Sequence, residues 1–265
     1  MNIVLYSNCQ SIGIKYFLEK KLLGTYFIIE NYKYFDNPEN LPINILEKAD
    51  VFIFQFTNSS HGICSTDINS EKNIFLYLNK NCIKIGIPSI FQSSFWPVIP
   101  GFGSCRDGHE IIKELKFKYS LEEILTLYDN KEIDFKLSER FNKCQEHTKN
   151  IENYYLTKTN LDIITITNFI KENYINYKLF ITHCHPSCYI FVYIVNEIIK
   201  ILNVKIENIN IINYNIFDNE LIIEGIPSGD WPDSLYIKKE LNVNYINNIN
   251  EEYFKNCIIE IYNNI

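Results

Sequence analysis

Three groups of polar residues follow predicted buried strands, and their side chains suit group-transfer chemistry. The groups are Ser7–Gln10, which includes Cys9, then Gln55–Asn58, and then His183–Ser187, which includes His185. Cysteine can act as a nucleophile and histidine as a general base. Asparagine and glutamine amides can stabilise a developing oxyanion. The pattern therefore predicts a nucleophile, a base and oxyanion donors in one protein.

Cys9 stands where a predicted strand turns into a predicted helix. The amides at a helix N-terminus favour a thiolate and can also receive an oxyanion. Asn8 and Gln10 on either side supply further donors. The alternative is a small buried cysteine at a tight turn, which is a common location for a free thiol.

His183 and His185 are predicted to stand at a junction between a strand and a helix. A histidine at this position can serve as the base for a cysteine or for an acceptor hydroxyl. A capping histidine, or a buried and hydrogen-bonded one, is the alternative for each. A zinc site with Cys184 would need distant partners such as His61 and Cys64, and the spacing matches no established closed site. The sequence therefore predicts no metal.

Short apolar runs alternate with amphipathic stretches along the chain, as in βαβ units with a parallel sheet. The predicted strands are residues 2–6, 26–30, 51–56, 82–87 and 178–182, and a further pair is predicted within 210–223. Ligands bind at the carboxyl ends of the strands in such sheets, so the three polar groups are expected at one edge. Residues 108–175 are predicted to form an inserted, mainly helical lobe within a single domain that spans residues 1–265.

Residues 89–104 form an aromatic segment with two prolines and two glycines. A loop of this kind can be a binding lid or a pocket wall, and Trp96 would then contact substrate. Simple burial of the aromatic side chains is the alternative. Arg106 follows the loop and is a candidate for holding a phosphate, while an exposed, solvated arginine explains it equally well.

Composition narrows the function classes. The net charge is −7 and the pI is about 5.3, which argues against a general nucleic-acid-binding protein. The eight cysteines include no Cys-x-x-Cys pair and are expected to be reduced. No apolar stretch is long enough for a membrane span, and we expect a cytoplasmic protein. Helical spacing up to residue 265 leaves open that the chain is one domain of a longer polypeptide.

Several short motifs resemble the WcbI-type polysaccharide-biosynthesis family. Strand residues leading into Asn8-Cys9-Gln10 resemble the opening of that family, and Ala49–Gln55 is similar to its strand ending in glutamine. Ile87-Pro88 with the aromatic residues that follow, and then His185-Pro186-Ser187, resemble its later motifs. The matches occur in the family's order over about 190 residues.

The resemblance implies an SGNH-hydrolase-like, flavodoxin-like α/β core that binds coenzyme A and acetylates sugars of surface polysaccharide. By motif, Cys9 takes the nucleophile's position and His185 that of the base. Two positions depart from the family pattern. Ser7 stands where glycine is frequent, and Thr182 stands three residues before His185, where an aspartate is expected.

Our first hypothesis is an acetyl-CoA-dependent acetyltransferase that acts on a sugar or sugar-nucleotide acceptor. His185 and Cys9 would be catalytic, with Asn8, Gln10 and Gln55 as oxyanion or supporting groups. The predicted substrate-binding residues are Ser7, Trp96, His183 and Arg106. An esterase or deacetylase on the same fold and a non-catalytic glycan-binding module, with Trp96 and Trp231 as sugar platforms, are the alternatives.

Overall fold

The computed structural model describes residues 1–22, 28–33, 43–57, 64–99, 106–204, 232–246 and 248–264, without the side chains of residues 28, 33, 106 and 107. The chain divides into two compact units. The first comprises Met1–Ile90, Thr148–Lys171 and Pro186–Ser228, and the second comprises Phe91–His147, Glu172–His185 and Gly229–Ile265.

Strands and helices alternate along the first half of the chain, and helices dominate the second. The elements are β1 (Asn2–Ser7), α1 (Gln10–Leu22), β2 (Ile28–Lys33), α2 (Ile43–Leu46), β3 (Val51–Gln55), a 3-10 helix (Ile74–Tyr77), β4 (Ile83–Ile87), α3 (Arg106–Lys116), α4 (Leu121–Asp129), α5 (Leu137–Lys158), β5 (Asp162–Ile163), α6 (Thr167–Asn173), β6 (Phe180–Thr182), β7 (His185–Pro186), α7 (Cys188–Ile201), α8 (Leu235–Leu241) and α9 (Glu251–Asn264).

A parallel sheet forms the centre of the first unit. Within the described residues its order is β2-β1-β3-β4-β5, and all four pairings are parallel. Every residue of β3 is buried, as is all of β1 after Asn2. Strands that are buried on both faces of a sheet consist of continuous apolar residues. The sequence therefore predicts these strands. The predicted α/β parallel-sheet class is confirmed.

Helices α1 and α7 pack together in this unit. Gly13 makes the contact possible, because a Cβ at that position would lie 2.6 Å from the ring of Phe191. A larger side chain would therefore push the two helices apart. The close packing holds the N-terminal part of α1, and thus the turn before it, near the sheet.

The prediction for residues 178–182 is wrong in one respect. Residues 180–182 do form a strand, but β6 pairs with β7 in a separate two-stranded sheet. The fifth strand of the main sheet is β5, which pairs with Ile85 and Gly86 of β4. It lies inside the segment that was predicted to be helical, because a two-residue strand has no periodic signal. The remainder of 108–175 is mainly helical, as expected.

Several predicted boundaries also shift. The second strand extends to residue 33, beyond the predicted end at residue 30, and the third ends at Gln55. Residues 26 and 27 of the predicted second strand lie outside the described residues. A 3-10 helix at Ile74–Tyr77 is capped by Asn73, whose side chain accepts from the Phe75 amide. The strand pair predicted within 210–223 lies outside the described residues.

Aromatic packing and a buried ion pair hold the second unit together. Phe95 stacks on Phe180 of β6 with ring centroids 5.7 Å apart. Lys178 and Asp233 form an ion pair at 2.8 Å with both side chains buried. Removal of one partner would leave an uncompensated buried charge. These contacts hold β6 in place. β6 leads directly into the turn that carries His183 and His185, which is called the histidine turn below.

Candidate active site

The turn between β1 and α1 carries Cys9 and is closed by its neighbour Asn8. The Asn8 side-chain oxygen accepts from the Gln10 amide at 2.9 Å, and the Asn8 carbonyl accepts from the Ser11 amide at 3.1 Å. Asparagine favours helix starts because its short side chain can satisfy these first amides. Cys9 is half-buried and forms no disulfide bond with the described cysteines. The sequence Ser-Asn-Cys-Gln thus sets one cysteine at the beginning of a helix.

Gln55, at the end of β3, braces this turn from the neighbouring strand. Its side-chain oxygen accepts from the Asn8 amide at 3.0 Å, and its nitrogen donates to the Gln10 side-chain oxygen at 2.6 Å. Gln10 in turn donates to the carbonyl of Ile90 at 2.8 Å. Both glutamines are 1% exposed, so water cannot replace these bonds. The turn with Cys9 is therefore locked to β3 and to the segment after β4.

These bonds bear on the predicted roles of the three amide side chains. The structure brings Asn8, Gln10 and Gln55 together around Cys9, and their described bonds are those of supporting groups. Donation to an oxyanion stays a prediction. Ser7 precedes them, and its buried hydroxyl makes no hydrogen bond to the described residues. Its role in substrate binding likewise remains a prediction.

His185, in the second unit, is held by the hydroxyl of Thr182. The Thr182 Oγ1 and His185 Nδ1 atoms lie 2.6 Å apart, and the Cys184 sulfur is 3.7 Å from the same nitrogen. The resemblance leads us to expect a carboxylate at residue 182, and the structure has the neutral hydroxyl of Thr182 there. A hydroxyl both donates and accepts, and a base at Nε2 requires that Nδ1–H donates to Thr182.

Burial controls the charge of both histidines. His183 and His185 are each 7% exposed. Desolvation lowers the pKa of His185 below its ordinary value, because burial disfavours the charged imidazolium. Desolvation also lowers the pKa of His183, and the charge of His185 lowers it further. Both rings are thus neutral at neutral pH, which is the form that can accept a proton.

The aromatic loop after β4 holds the histidine turn through its backbone. The amide of Gln92 donates to the His183 carbonyl at 2.8 Å, and Phe91 packs edge-on against the His183 ring at 5.3 Å. The Gln92 side-chain oxygen accepts from Gln145 of α5 at 3.0 Å. The loop therefore connects α5 with the histidines, a long-range connection that the sequence does not reveal.

Arg140 of α5 clamps the same loop. It is 3% exposed and donates to the carbonyls of Ser93, Trp96 and Pro97 at 2.9, 3.0 and 3.2 Å. Trp96 is 1% exposed, which agrees with the alternative of simple burial, and its contact with an acceptor stays a prediction. Arg140 was not predicted, although it is one of only two arginines in the chain.

Other predicted residues lie outside the described structure. Arg106 begins α3, but its side chain is not described, and Trp231 and His61 are also outside the described residues. Among the described side chains, no three histidine, cysteine or carboxylate groups form a candidate metal site. No described helix is both long and apolar enough to span a bilayer.

Comparisons with known proteins bear on the family and the fold of the chain. The family model of the polysaccharide biosynthesis enzyme WcbI matches residues 2–207. A solved structure of WcbI is also similar, with a TM-score of 0.60 and 15% sequence identity over 82% of this chain and 74% of that chain. It is described as the native protein without a disulfide bond between coenzyme A and one of its cysteines. At this identity the likeness shows the α/β fold. No curated protein matches the sequence.

Proposed function

The chain belongs to the family of the polysaccharide biosynthesis enzyme WcbI, and we propose that it is an acetyltransferase. The donor is acetyl-coenzyme A, and the acceptor is a hydroxyl or amino group of a sugar, free or nucleotide-linked. The locked turn around Cys9 is the observation that carries this proposal. The solved WcbI structure supports it, since that structure is described by the absence of a disulfide bond between coenzyme A and one of its cysteines.

The Cys9 turn suits an acetyl group whose carbonyl oxygen becomes negatively charged during transfer. Helix α1 is 13 residues long, and its N-terminus favours negative charge. The bonds from Gln55 fix the turn before substrate arrives, and preorganised dipoles stabilise a developing oxyanion without reorganisation. In this proposal Asn8, Gln10 and Gln55 support the turn, and the backbone around Cys9 faces the thioester.

His185 is proposed as the base. Acetyl-coenzyme A supplies an activated thioester. Nε2 of His185 takes the proton that the acceptor oxygen or nitrogen loses as it forms the new bond to the acetyl carbon. The bond between that carbon and sulfur breaks, and the proton returns to the leaving thiolate. Thr182 keeps the ring oriented throughout.

A covalent route through Cys9 is the second form of the same proposal. The thiolate of Cys9 would take the acetyl group first, and the sugar would remove it in a second step. We favour direct transfer, because a histidine base can activate the acceptor without an intermediate. The described cysteines form no disulfide bonds with one another, which fits the reducing cytoplasm that we propose as the site of action.

Thermal stabilisation by coenzyme A tests the proposal. A ligand that binds only the native state stabilises it by about 2.7 kcal/mol at a hundredfold excess over Kd. We expect a rise in Tm with coenzyme A and acetyl-coenzyme A. No shift at millimolar concentrations, with dephospho-coenzyme A also tried, contradicts the transferase assignment.

Substitutions at the two catalytic candidates test their roles. His185→Ala should remove most acetyl transfer, whereas the exposed His147→Ala serves as a matched control. In direct transfer, Cys9→Ala retains much of the activity. In the covalent route it is as inactive as His185→Ala, and the double variant loses little more, because members of one catalytic unit are non-additive.

Intact-mass measurement after incubation with acetyl-coenzyme A separates the routes. An acetyl adduct that is lost in Cys9→Ala but kept in the half-buried control Cys144→Ala indicates the covalent route. Near-normal turnover by folded His185→Ala shows that the base is another residue, and His183 is the next candidate.

A further inference from the structure

A cleft opens in the first unit directly after the end of β3. Its volume is about 330 Å³. It is lined by Phe56, Thr57, Asp67, Ile151, Tyr154 and Tyr155. Phe56 and Thr57 are the two residues after Gln55, the residue that braces the Cys9 turn. The cleft thus begins one residue after Gln55, whose side chain holds the Cys9 turn.

Aromatic rings form one wall of the cleft. Phe56 and Tyr155 stack face to face, with ring centroids 3.7 Å apart and planes at 9°. Tyr154 stands perpendicular to Tyr155 at 5.3 Å and is 39% exposed. Its hydroxyl accepts from the Asn69 side chain at 2.5 Å, which fixes the ring. A rigid aromatic side chain with an exposed face is therefore presented at low entropic cost.

The lining of the cleft also includes a carboxylate, that of Asp67. The Asp67 oxygen accepts from the Asn69 amide at 3.0 Å, and the Asp67 amide donates to the Ser65 hydroxyl at 3.0 Å. Burial raises the pKa of Tyr155, opposed by a hydrogen bond with Thr66 and aided by the Asp67 charge. The Tyr155 hydroxyl thus keeps its proton at neutral pH. The cleft combines an apolar face with a charged acceptor and a phenolic donor.

We propose that this cleft binds one ring of an uncharged sugar, with its C–H face on Tyr154 and two hydroxyls donating to Asp67. The inference rests on the proposed function and adds where the acceptor docks. A carboxylate accepts hydroxyl hydrogen bonds strongly, and its charge repels the phosphates of a coenzyme or a nucleotide. The volume lies near the lower end of the range of about 300–1,000 Å³ typical of small-molecule sites, which suits a single ring.

Saturation-transfer NMR with methyl glycosides provides a direct test that needs no coenzyme and no turnover. The probes are methyl glycosides of glucose, galactose, mannose and N-acetylglucosamine at tens of millimolar. Tyr154→Ala should weaken binding about fivefold, since an aromatic contact contributes on that order. Tyr119→Ala is the matched control, because Tyr119 is 40% exposed in the other unit and should change nothing.

Asp67→Asn is the second variant, because it keeps an oxygen for the Asn69 amide and removes the charge. It should weaken glycoside binding with Tm unchanged, and it preserves the test if Tyr154→Ala fails to fold. Signals that are absent for all four glycosides, or equal in wild type and both variants, overturn the inference. Displacement of the glycosides by adenosine monophosphate also overturns it, since the cleft would then accept a nucleotide.

The same measurements distinguish this inference from the proposed function. If coenzyme A raises Tm but no glycoside binds the cleft, the transferase proposal stands and the docking site is elsewhere. If glycosides bind with the predicted sensitivity to Tyr154 and Asp67 but coenzyme A has no effect, the cleft is a glycan site and the transferase proposal fails.

Discussion

Thr182→Val removes the hydroxyl that holds His185 with little change of shape. Thr182 is buried, and its Oγ1 lies 2.6 Å from Nδ1. Valine replaces the oxygen with a methyl group, and no water can enter to take its place. The substitution should therefore change the protonation of His185 while the turn keeps its backbone.

The expected change in the pKa of His185 follows from the difference between the charged and the neutral ring. A hydrogen bond to a charged group contributes about 1.5–3 kcal/mol, and a neutral one about 0.5–1.5 kcal/mol. The imidazolium of His185 thus loses roughly 1 kcal/mol more than the neutral ring when the hydroxyl is removed. Since one pKa unit corresponds to about 1.36 kcal/mol, the pKa of His185 should fall by a further 0.5 to 1 unit, approximately.

Opposite behaviour is expected for Thr182→Asp. A carboxylate beside the ring favours the imidazolium and should raise the pKa of His185 by about 1–3 units. Acetyl transfer should fall up to about tenfold in Thr182→Val, the equivalent of one neutral hydrogen bond. The lower limb of the pH–rate profile should shift with the measured pKa in both variants.

Histidine NMR gives the assay, because the chain contains only five histidines. The imidazole signals are followed from pH 4.5 to 8.5, and the other four histidines serve as internal references. Thr157→Val, at an exposed threonine whose hydroxyl bonds a helix carbonyl, is the control. An unchanged pKa of His185 in both Thr182 variants would refute the claim that Thr182 orients the ring.

Two further predictions concern stability. Gln55→Leu leaves the Asn8 amide and the Gln10 side chain without their buried partner and should lower the free energy of unfolding by about 2–4 kcal/mol, measured in urea; a change below 0.5 kcal/mol would contradict the bracing role. The pKa values of His183 and His185 are lowered in the folded state. The free energy of unfolding is therefore highest above pH 6.5, the ordinary pKa of histidine, and it falls as the pH drops from 6.5 through the pKa values of the folded state. Urea midpoints from pH 7.5 to 5 should show this loss, and His183→Gln combined with His185→Gln should reduce it; identical slopes in wild type and variant would exclude the histidines as its source.

The sequence predicts the main sheet well where strands are buried on both faces. β1, β3 and β4 are compact apolar runs, so their existence and parallel order follow from composition and spacing. An apolar run does not say which sheet a strand joins, and β6 was therefore assigned to the wrong one. The two residues of β5 belong to the sheet because their backbone pairs with β4. No pattern in the local sequence predicts this pairing.

The candidate site could be predicted in part. Parallel topology alone places Gln55 near the Cys9 turn, and the structure bears this out through the bond to Asn8. The family resemblance leads us to expect a carboxylate three residues before His185, and only the structure shows that the Thr182 hydroxyl lies beside the ring instead. The clamp of Arg140 on the aromatic loop joins residues more than 40 positions apart, which sequence periodicity cannot predict.

A base with these properties suits an activated acyl donor. Burial lowers the pKa of His185, so the ring is fully in its basic form at neutral pH but is a weaker base than an exposed histidine. Thr182 is uncharged and therefore stabilises the imidazolium less strongly than an aspartate would. Such a base is suited to a step in which the ring gains little positive charge. This is the case when the bond to the thioester carbonyl carbon forms before the proton is transferred. In the proposed acetyl transfer, the Thr182–His185 pair would act as a base of this kind.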